Sequence, residues 1–205
     1  MKAIAGIHPI DGGEYLFEGE RVTVHGPPND VAALGVEVVY QDLALCENLD
    51  IVSNMFLGRE IRRRGVLDEA KMETMAREAL ASLSVRTVKS VRQTVSSLSG
   101  GQRQTVAIAK CVLWNSKVVL LDEPTAALGV AQTRQVIDLV RRLADQGLGV
   151  VLISHNMMDV FEVADRICAL YLGRVAAEVK TAEVTRGQVV ELITAGHSGS
   201  LGLAP

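Results

Sequence analysis

Two adjacent carboxylates are the residues most suited to chemistry. Asp122 and Glu123 come directly after the fully apolar residues 118–121, and Pro124 then ends the predicted strand. Because α/β proteins bind ligands at the carboxyl ends of parallel strands, both acids are predicted to lie at that edge of a sheet. An aspartate there suits a magnesium ion, and the neighbouring glutamate can orient or deprotonate an attacking water. The alternative is a strand-to-loop turn that carries two solvated acids.

A glycine-rich segment immediately before a helical pattern forms a second candidate site. It consists of Leu98, Ser99, Gly100, Gly101 and Gln102. Ser99 is a favourable N-cap, and the two glycines let backbone N–H groups approach a ligand closely. The unsatisfied amides and aligned peptide dipoles of such a helix start favour a phosphate. The alternative is an ordinary capped turn.

Two more polar side chains follow predicted strands. Gln41 follows residues 36–40, and His155 comes shortly after the apolar residues 150–153. An imidazole at the same sheet edge as the acids could touch a terminal phosphate. The alternative for His155 is a hydrogen-bonded structural histidine.

Short β-branched runs alternate with longer amphipathic stretches along the chain. The runs predict strands over residues 35–40, 117–121 and 149–153, and the stretches predict helices over residues 68–83, 101–114 and 131–146. Such alternation is typical of an α/β fold with a parallel sheet covered by helices. Turn residues also predict two antiparallel hairpins, over residues 12–24 and 166–179.

Between Gln41 and about residue 97 the sequence has no strand-like run. This stretch predicts a helical subdomain over about residues 42–116, inserted into the α/β core and containing a loop at residues 62–65. The core and its insertion are expected to form one domain over residues 1–196. Residues 197–205, rich in serine, glycine and leucine, predict a flexible tail.

Composition restricts the classes of function. The 205 residues include 21 basic and 24 acidic side chains and only three Phe, three Tyr and one Trp. The chain therefore lacks the basic surface and the stacking platforms typical of nucleic-acid binding. Its apolar runs are far shorter than the roughly 18 residues needed to cross a bilayer. Three widely separated cysteines argue against a disulfide framework or a zinc site and favour a reducing cytosol.

Taken in chain order, the polar motifs resemble those of the nucleotide-binding subunit of an ATP-binding cassette (ABC) transporter. They are Gln41, residues 98–102, residues 120–123, residues 126–129 and His155. The resemblance implies a P-loop NTPase-like parallel sheet covered by helices, with an inserted helical subdomain. Further segments resemble bacterial monosaccharide importers of the ribose, xylose and fructose type: residues 41–45, 54–60, 154–156 and 163–166.

The resemblance implies that the chain binds and hydrolyses ATP with Mg²⁺. Gln41 corresponds to the glutamine of the Q-loop, near the magnesium ion and the attacking water. Asp122 corresponds to the Walker B aspartate on magnesium, and Glu123 to the general base. His155 corresponds to the switch histidine.

Residues 98–102 correspond to the family's signature, in which Ser99, Gly100 and Gly101 touch the γ-phosphate. In the family two subunits pair head to tail, and each ATP lies between the Walker A loop of one subunit and the signature of the other. Residues 126–129 read Ala-Ala-Leu-Gly, which departs from the commonest family pattern because that pattern ends in an aspartate that makes a cross-dimer contact.

A second departure concerns the phosphate loop itself. Nowhere does the sequence contain G-x-x-x-x-G-K-[ST], the loop that wraps the β- and γ-phosphates and supplies their lysine. The resemblance implies that the chain begins inside the helix that follows this loop. The first strands and the Walker A loop are then expected to be missing.

The resemblance also implies partners and a location. The partners are the permease subunits of a sugar transporter, a second nucleotide-binding subunit and, indirectly, a periplasmic sugar-binding protein, with no nucleic acid. The location is peripheral, on the cytoplasmic face of the inner membrane. The chain is thus interpreted as a truncated importer subunit, and two alternative interpretations remain. One is a non-hydrolysing or degenerate partner that contributes only its signature to a heterodimer, and the other is a non-transport ABC ATPase of translation or DNA repair.

Overall fold

A computed structural model of the chain describes residues 1–22, 28–85, 87–114 and 116–201. The chain divides into two compact units, Met1–Ile153 and Ser154–Pro205. Residues 23 and 24 of the predicted first hairpin and residues 202–205 of the predicted tail lie outside the described residues.

The first unit carries most of the helices and strands. In chain order they are β1 (Leu16–Phe17), β2 (Glu20–Arg21), α1 (Pro28–Ala33), β3 (Val36–Val39), α2 (Ile51–Phe56), β4 (Arg62–Arg63), β5 (Val66–Leu67), α3 (Glu69–Ser82), a 3-10 turn (Val95–Ser97), α4 (Gly100–Leu113), β6 (Val118–Asp122), α5 (Val130–Asp145) and β7 (Gly149–Ile153). The long helices begin and end within one residue of their predicted bounds, because clear caps and apolar periodicity mark both of their ends.

A three-stranded parallel sheet forms the centre of this unit, in the order β3-β6-β7. Val39 pairs with Leu121, and Leu121 pairs with Leu152, so the carboxyl ends of all three strands reach the same edge. The predicted α/β fold with a parallel sheet covered by helices is confirmed.

Strand β6 is the most deeply buried of the three. Val119, Leu120 and Leu121 are at most 1 % exposed. Burying each such side chain contributes about 1.5–3 kcal/mol, so the strand has a strong preference for a single position in the core. Asp122, the last residue of β6, and Glu123, the next residue, therefore occupy a fixed place.

Helices α2, α3 and α4 pack against one another in the stretch predicted to be helical. Helix α3 buries Met72, Ala76, Ala79 and Leu80, a spacing that places them on one face. Its N-cap is Asp68, whose carboxylate accepts a hydrogen bond from the N–H of Lys71.

One feature of that stretch was not expected. Residues 62–65, predicted as a loop, belong to a short antiparallel hairpin of β4 and β5 that extends to residue 67. Arg64 and Gly65 both have positive φ, 53° and 84°, as the tight turn between the strands requires. Strands of two residues are too short to show a periodic pattern in the sequence.

The second unit contains a helix, a hairpin and a further helix. Its elements are α6 (Met157–Val163), β8 (Arg166–Tyr171), β9 (Arg174–Lys180), a 3-10 turn (Thr181–Glu183), α7 (Arg186–Ala195) and a 3-10 turn (Gly199–Leu201). The predicted hairpin is present, with β8 and β9 antiparallel. Val160, Ile167 and Val189 form its buried cluster.

The first residues of the predicted tail make contacts with the end of helix α7. Helix α7 ends at Gly196, whose φ of 79° allows the left-handed C-cap. Two residues later, the Ser198 side chain is buried and its hydroxyl donates to the Glu191 carboxylate at 2.6 Å. This hydrogen bond ties the following residues back to α7.

Candidate functional site

The two predicted acids lie at the carboxyl end of β6. Asp122 is the last residue of the strand and is half-buried, and it pairs with Ile153 of β7. Glu123 follows in a left-handed conformation with φ 48°, and its N–H donates to the carbonyl of Ile153 at 2.9 Å. A non-glycine residue in this conformation costs on the order of 1–2 kcal/mol, so the surrounding sheet must hold it there.

Gln41 comes to the same edge from the neighbouring strand. It is exposed and lies in the turn after β3, next to Tyr40. Burial raises the pKa of Tyr40, and the negative charges of Asp42 and Asp122 raise it further. Val39 pairs with Leu121 in the parallel register, so the residues that follow Val39 lie beside Asp122 at the end of β6. The structure therefore brings Gln41, Asp122 and Glu123 to one side of the sheet, which we call the acid edge.

The turn after Gln41 has an unusual backbone conformation. Leu43 and Ala44 have φ of 59° and 45°, a left-handed pair without a glycine. The N–H of Leu43 donates to the carbonyl of Tyr40 at 2.9 Å, which closes the turn. Such strain persists only where neighbouring contacts fix it, and it commonly marks functional sites.

Residues 98–102, which we call the glycine start, form the beginning of α4. Ser99 is the N-cap, and its hydroxyl accepts a hydrogen bond from the N–H of Gln102 at 3.3 Å. The Gln102 side-chain oxygen in turn accepts from the N–H of Ser99 at 2.9 Å, which completes a capping box. The amides of Gly100 and Gly101 belong to the first turn and have no acceptor within the helix. Ser99 and Gly100 are exposed, so this end of α4 can receive an anion.

The two glycines and Gln102 also make packing contacts and hydrogen bonds that the sequence did not indicate. A Cβ on Gly101 would lie 3.1 Å from Cβ and Cγ of Gln132, in the first turn of α5. A Cβ on Gly100 would lie 3.4 Å from Leu128, which is ordinary contact. Gln102 donates from its Nε2 to the carbonyl of Thr87 at 2.6 Å, so both ends of its amide hold the helix start in place.

His155 belongs to the second unit. It is exposed in a bend between β7 and α6, where the N–H of Asn156 donates to the Ser154 hydroxyl at 3.0 Å. Asn156 then caps α6 by accepting from the N–H of Met158. The phosphate contact expected of His155 stays a prediction.

Asn54 is a residue of this region that the sequence analysis did not single out. It is 1 % exposed in α2, and its side chain bonds the loop that follows Gln41. Its oxygen accepts from the N–H of Cys46 at 2.7 Å, and its Nδ2 donates to the carbonyls of Cys46 at 3.0 Å and Asp50 at 2.9 Å. An asparagine among the apolar residues of a short helix was the available signal, because a buried amide must find partners.

The donors at the acid edge fit a magnesium ion. Among the described residues no three His, Cys, Asp or Glu side chains gather as a complete metal site. The carboxylate of Asp122 and the amide oxygen of Gln41 are hard oxygen donors, which Mg²⁺ prefers. Because Mg²⁺ usually takes one or two protein ligands and completes its shell with water and phosphate oxygens, this small donor set suits it.

Comparison with protein families gives a match to the family described as ABC transporter, over residues 1–126. The chain is 41% identical over 203 residues to a xylose/arabinose import ATP-binding protein of Sulfolobus acidocaldarius, covering 99% of the chain and 80% of the relative. It is 45% identical over 201 residues to a fructose import ATP-binding protein of Rhizobium meliloti, covering 95% and 77%. A ribose import ATP-binding protein of Rubrobacter xylanophilus is 37% identical over 94% of the chain and 38% of its own length.

A solved structure has the same fold. The ATP-binding cassette MJ0796, in a dimeric post-hydrolysis state bound to ADP and Pi, superposes with a TM-score of 0.71 at 24% identity, over 88% of this chain and 78% of that one. None of the helices in the described part of the chain combines the length and the apolar character that a membrane crossing demands.

Proposed function

The chain belongs to the ABC transporter family, and we propose that it is an ATP-binding subunit that energises sugar import. The observation that carries the proposal is the acid edge, where Gln41, Asp122 and Glu123 meet at the carboxyl ends of parallel strands. The names of the xylose/arabinose and fructose relatives support sugar as the cargo.

In this proposal the acid edge performs the hydrolysis. Asp122 and Gln41 would hold Mg²⁺, which when bound would neutralise charge on the phosphates of ATP. Glu123 takes a proton from the attacking water, and Gln41 orients that water through its side-chain amide. His155 contacts the terminal phosphate from the switch position. Phosphoryl transfer depends mainly on positioning and charge, which fits residues held by a rigid sheet edge.

The glycine start is proposed to bind the ATP of a second subunit. The Ser99 hydroxyl accepts from the Gln102 amide, so its own proton is available to a phosphate oxygen. The N–H groups of Gly100 and Gly101 supply two more donors to the γ-phosphate. Leu98 and Gln102 contribute by fixing the helix start. The solved structure of the same fold is described as dimeric, which is consistent with a pair of subunits.

We extend the same proposal to partners and location. Residues 42–116 dock on the cytoplasmic loops of a permease, and a periplasmic sugar-binding protein acts through that permease. The subunit is then peripheral on the cytoplasmic face of the inner membrane.

A second candidate function is that of the non-hydrolysing member of a pair, which acts through its glycine start alone. The exposed Ser99 and Gly100 at the start of α4 support this candidate, because they can receive an anion without the acid edge.

The test supplies the phosphate loop from a partner. The chain is mixed with the fructose import relative from Rhizobium meliloti, in which the signature serine is replaced by arginine, and Mg-ATP hydrolysis is measured. We expect hydrolysis by the mixture and not by either protein alone. Ser99→Arg should abolish it, whereas Ser97→Arg, a matched change at an exposed serine two residues earlier, should not. A folded mixture without hydrolysis would contradict the shared site.

A chimera separates the two candidates. The residues of the same relative that carry its phosphate loop are joined ahead of residue 1, and hydrolysis by the chimera is measured. Hydrolysis that depends on Glu123 supports the first candidate. A folded chimera that is inactive, together with an active mixture, supports the second.

A further inference from the structure

The loop after Gln41 pairs with the residues just before the glycine start. The N–H of Ser96 donates to the carbonyl of Glu47 at 2.9 Å, and the N–H of Val95 donates to the carbonyl of Leu49 at 3.0 Å. Asp50 and Thr94 form an antiparallel bridge in the same pairing. Two segments nearly fifty residues apart in sequence, each next to a different part of the proposed site, therefore share a backbone contact.

Arg103 reinforces this pairing from the first turns of α4. Its Nη1 donates to the Glu47 carboxylate at 2.5 Å. Its Nη2 donates to the carbonyl of Ser96, and its Nε to the carbonyl of Leu98, both at 3.2 Å. Leu98 is the residue immediately before the N-cap Ser99. One planar guanidinium thus joins the loop after Gln41 to the backbone that leads into the glycine start.

The loop side of this contact is firmly held. Asn54 bonds both backbone groups of Cys46, the residue before Glu47, and the carbonyl of Asp50 beyond it. Because Asn54 is buried and its amide bonds both Cys46 and Asp50, the loop is anchored to α2. A displacement of the loop would be passed to Arg103 through the Glu47 carboxylate.

We propose that Arg103 is a positioning residue that sets the place of Ser99 according to the position of the loop after Gln41. This inference rests on the proposed function and specifies its regulation: a partner that moves the loop moves the phosphate-binding end of α4. Only an arginine satisfies all three acceptors, because its N–H donors lie in a fixed plane, whereas a lysine ammonium is a single point charge.

The ion pair itself adds little to stability. The side chains of Arg103 and Glu47 are 30% and 64% exposed, and such surface pairs are worth little. A role in positioning should therefore be visible in local structure and in kinetics and nearly invisible in thermal unfolding. This difference separates it from a merely structural role.

The first arm of the test needs no nucleotide. Amide hydrogen exchange is measured on the full chain and on Arg103→Met, Arg103→Lys, Glu47→Gln and the Arg103→Met/Glu47→Gln double variant. Arg103→Met should speed exchange at Ser96 and Leu98 about five- to tenfold, with Tm changed by less than about 3 °C. Arg103→Lys should restore only part of the protection, and the double variant should resemble Arg103→Met alone.

The second arm uses the mixed hydrolysis assay at saturating amounts of the chain. Arg103→Met should lower kcat about tenfold and leave KM for ATP within about twofold, because the partner's phosphate loop still holds the nucleotide. The matched control is Arg77→Met, which removes an exposed arginine paired with Glu73 on α3 and should change neither readout. If the wild-type mixture does not hydrolyse ATP, the proposed function fails while the exchange arm still tests the contact. Unchanged exchange at Ser96 and Leu98, or changed exchange with unchanged kcat, would overturn the role of Arg103.

Discussion

The acid edge and the glycine start are held in place by different means. At the acid edge the backbone does the positioning, since the parallel register and the bond from the Glu123 N–H to Ile153 fix the two acids. At the glycine start side chains do it, through the Ser99–Gln102 capping box and the close approach of Gln132. Changes of side chain should therefore lower the stability of the acid edge little, whereas at the glycine start the changes that meet Gln132 or remove the capping box should lower it more.

The largest effect is expected from the charge of the acid edge. In the chimera that carries a phosphate loop, Glu123→Gln should lower kcat by about 10²–10⁴ because the general base is lost. Its Tm should stay close to that of the parent, since the new side chain has the same shape. Hydrolysis and thermal unfolding are measured beside Glu78→Gln, an exposed control on α3. Retention of full hydrolysis would remove Glu123 as the base.

The loop after Gln41 is expected to depend on a single buried amide. Asn54→Ala should lower the free energy of unfolding by about 2–4 kcal/mol, because several part-buried hydrogen bonds to the loop backbone are lost. Urea unfolding measures the change, and Asn48→Ala, at an exposed position of the same loop, is the control. Equal effects of the two substitutions would show that the loop does not depend on Asn54.

Within the glycine start the two glycines should differ. Gly101→Ala should lower the free energy of unfolding by about 1–3 kcal/mol, because the new methyl group meets Gln132 at 3.1 Å. Gly100→Ala should be nearly neutral for stability, because its methyl group makes ordinary contact with Leu128. The free energies of unfolding of both variants are measured by chemical denaturation. Equal losses of stability in the two variants would contradict the packing role of Gly101.

The backbone of the acid edge supplies a smaller test. Glu123→Gly should be more stable than Glu123→Ala by about 1 kcal/mol, because φ at this position is 48° and only glycine adopts it without strain. Both variants lack the carboxylate, so the difference isolates the backbone. A more stable alanine variant would show that the strain is absent in solution.

The smallest expected effect is the pH dependence of the helical region. Burial raises the pKa of Asp50, but hydrogen bonds from Ser53 and Arg92 and the charge of Arg92 together bring it below 3.8. A lowered pKa adds stability above pH 3.8 that is lost as the pH falls through the folded value. Asp50→Asn keeps the N-cap and removes this contribution. The Tm difference between parent and variant, followed from pH 6 to pH 3, should therefore shrink below about pH 4, and a constant difference would contradict the ion pair.

Much of the acid edge could be predicted because its signals are local. The strand 149–153 was predicted with the bounds that the structure has, and the two acids lie at the carboxyl end of β6 as its apolar run and Pro124 indicated. The N-cap at Ser99 could also be predicted from the sequence, and the structure adds that Gln102, three residues later, completes a capping box with it. Each of these signals acts within a few residues of the chain.

The alternation of strands and helices, the two carboxylates at a strand end and the capped start of α4 are thus all encoded locally in the sequence. The contacts that hold the start of α4 emerge only in the folded chain: Gln132 packs against Gly101, and Arg103 bonds both Glu47 and Leu98. The two kinds of feature differ in the sequence distance over which they act. Periodicity and capping act along a few residues, whereas contacts between residues dozens of positions apart exist only once packing brings their elements together.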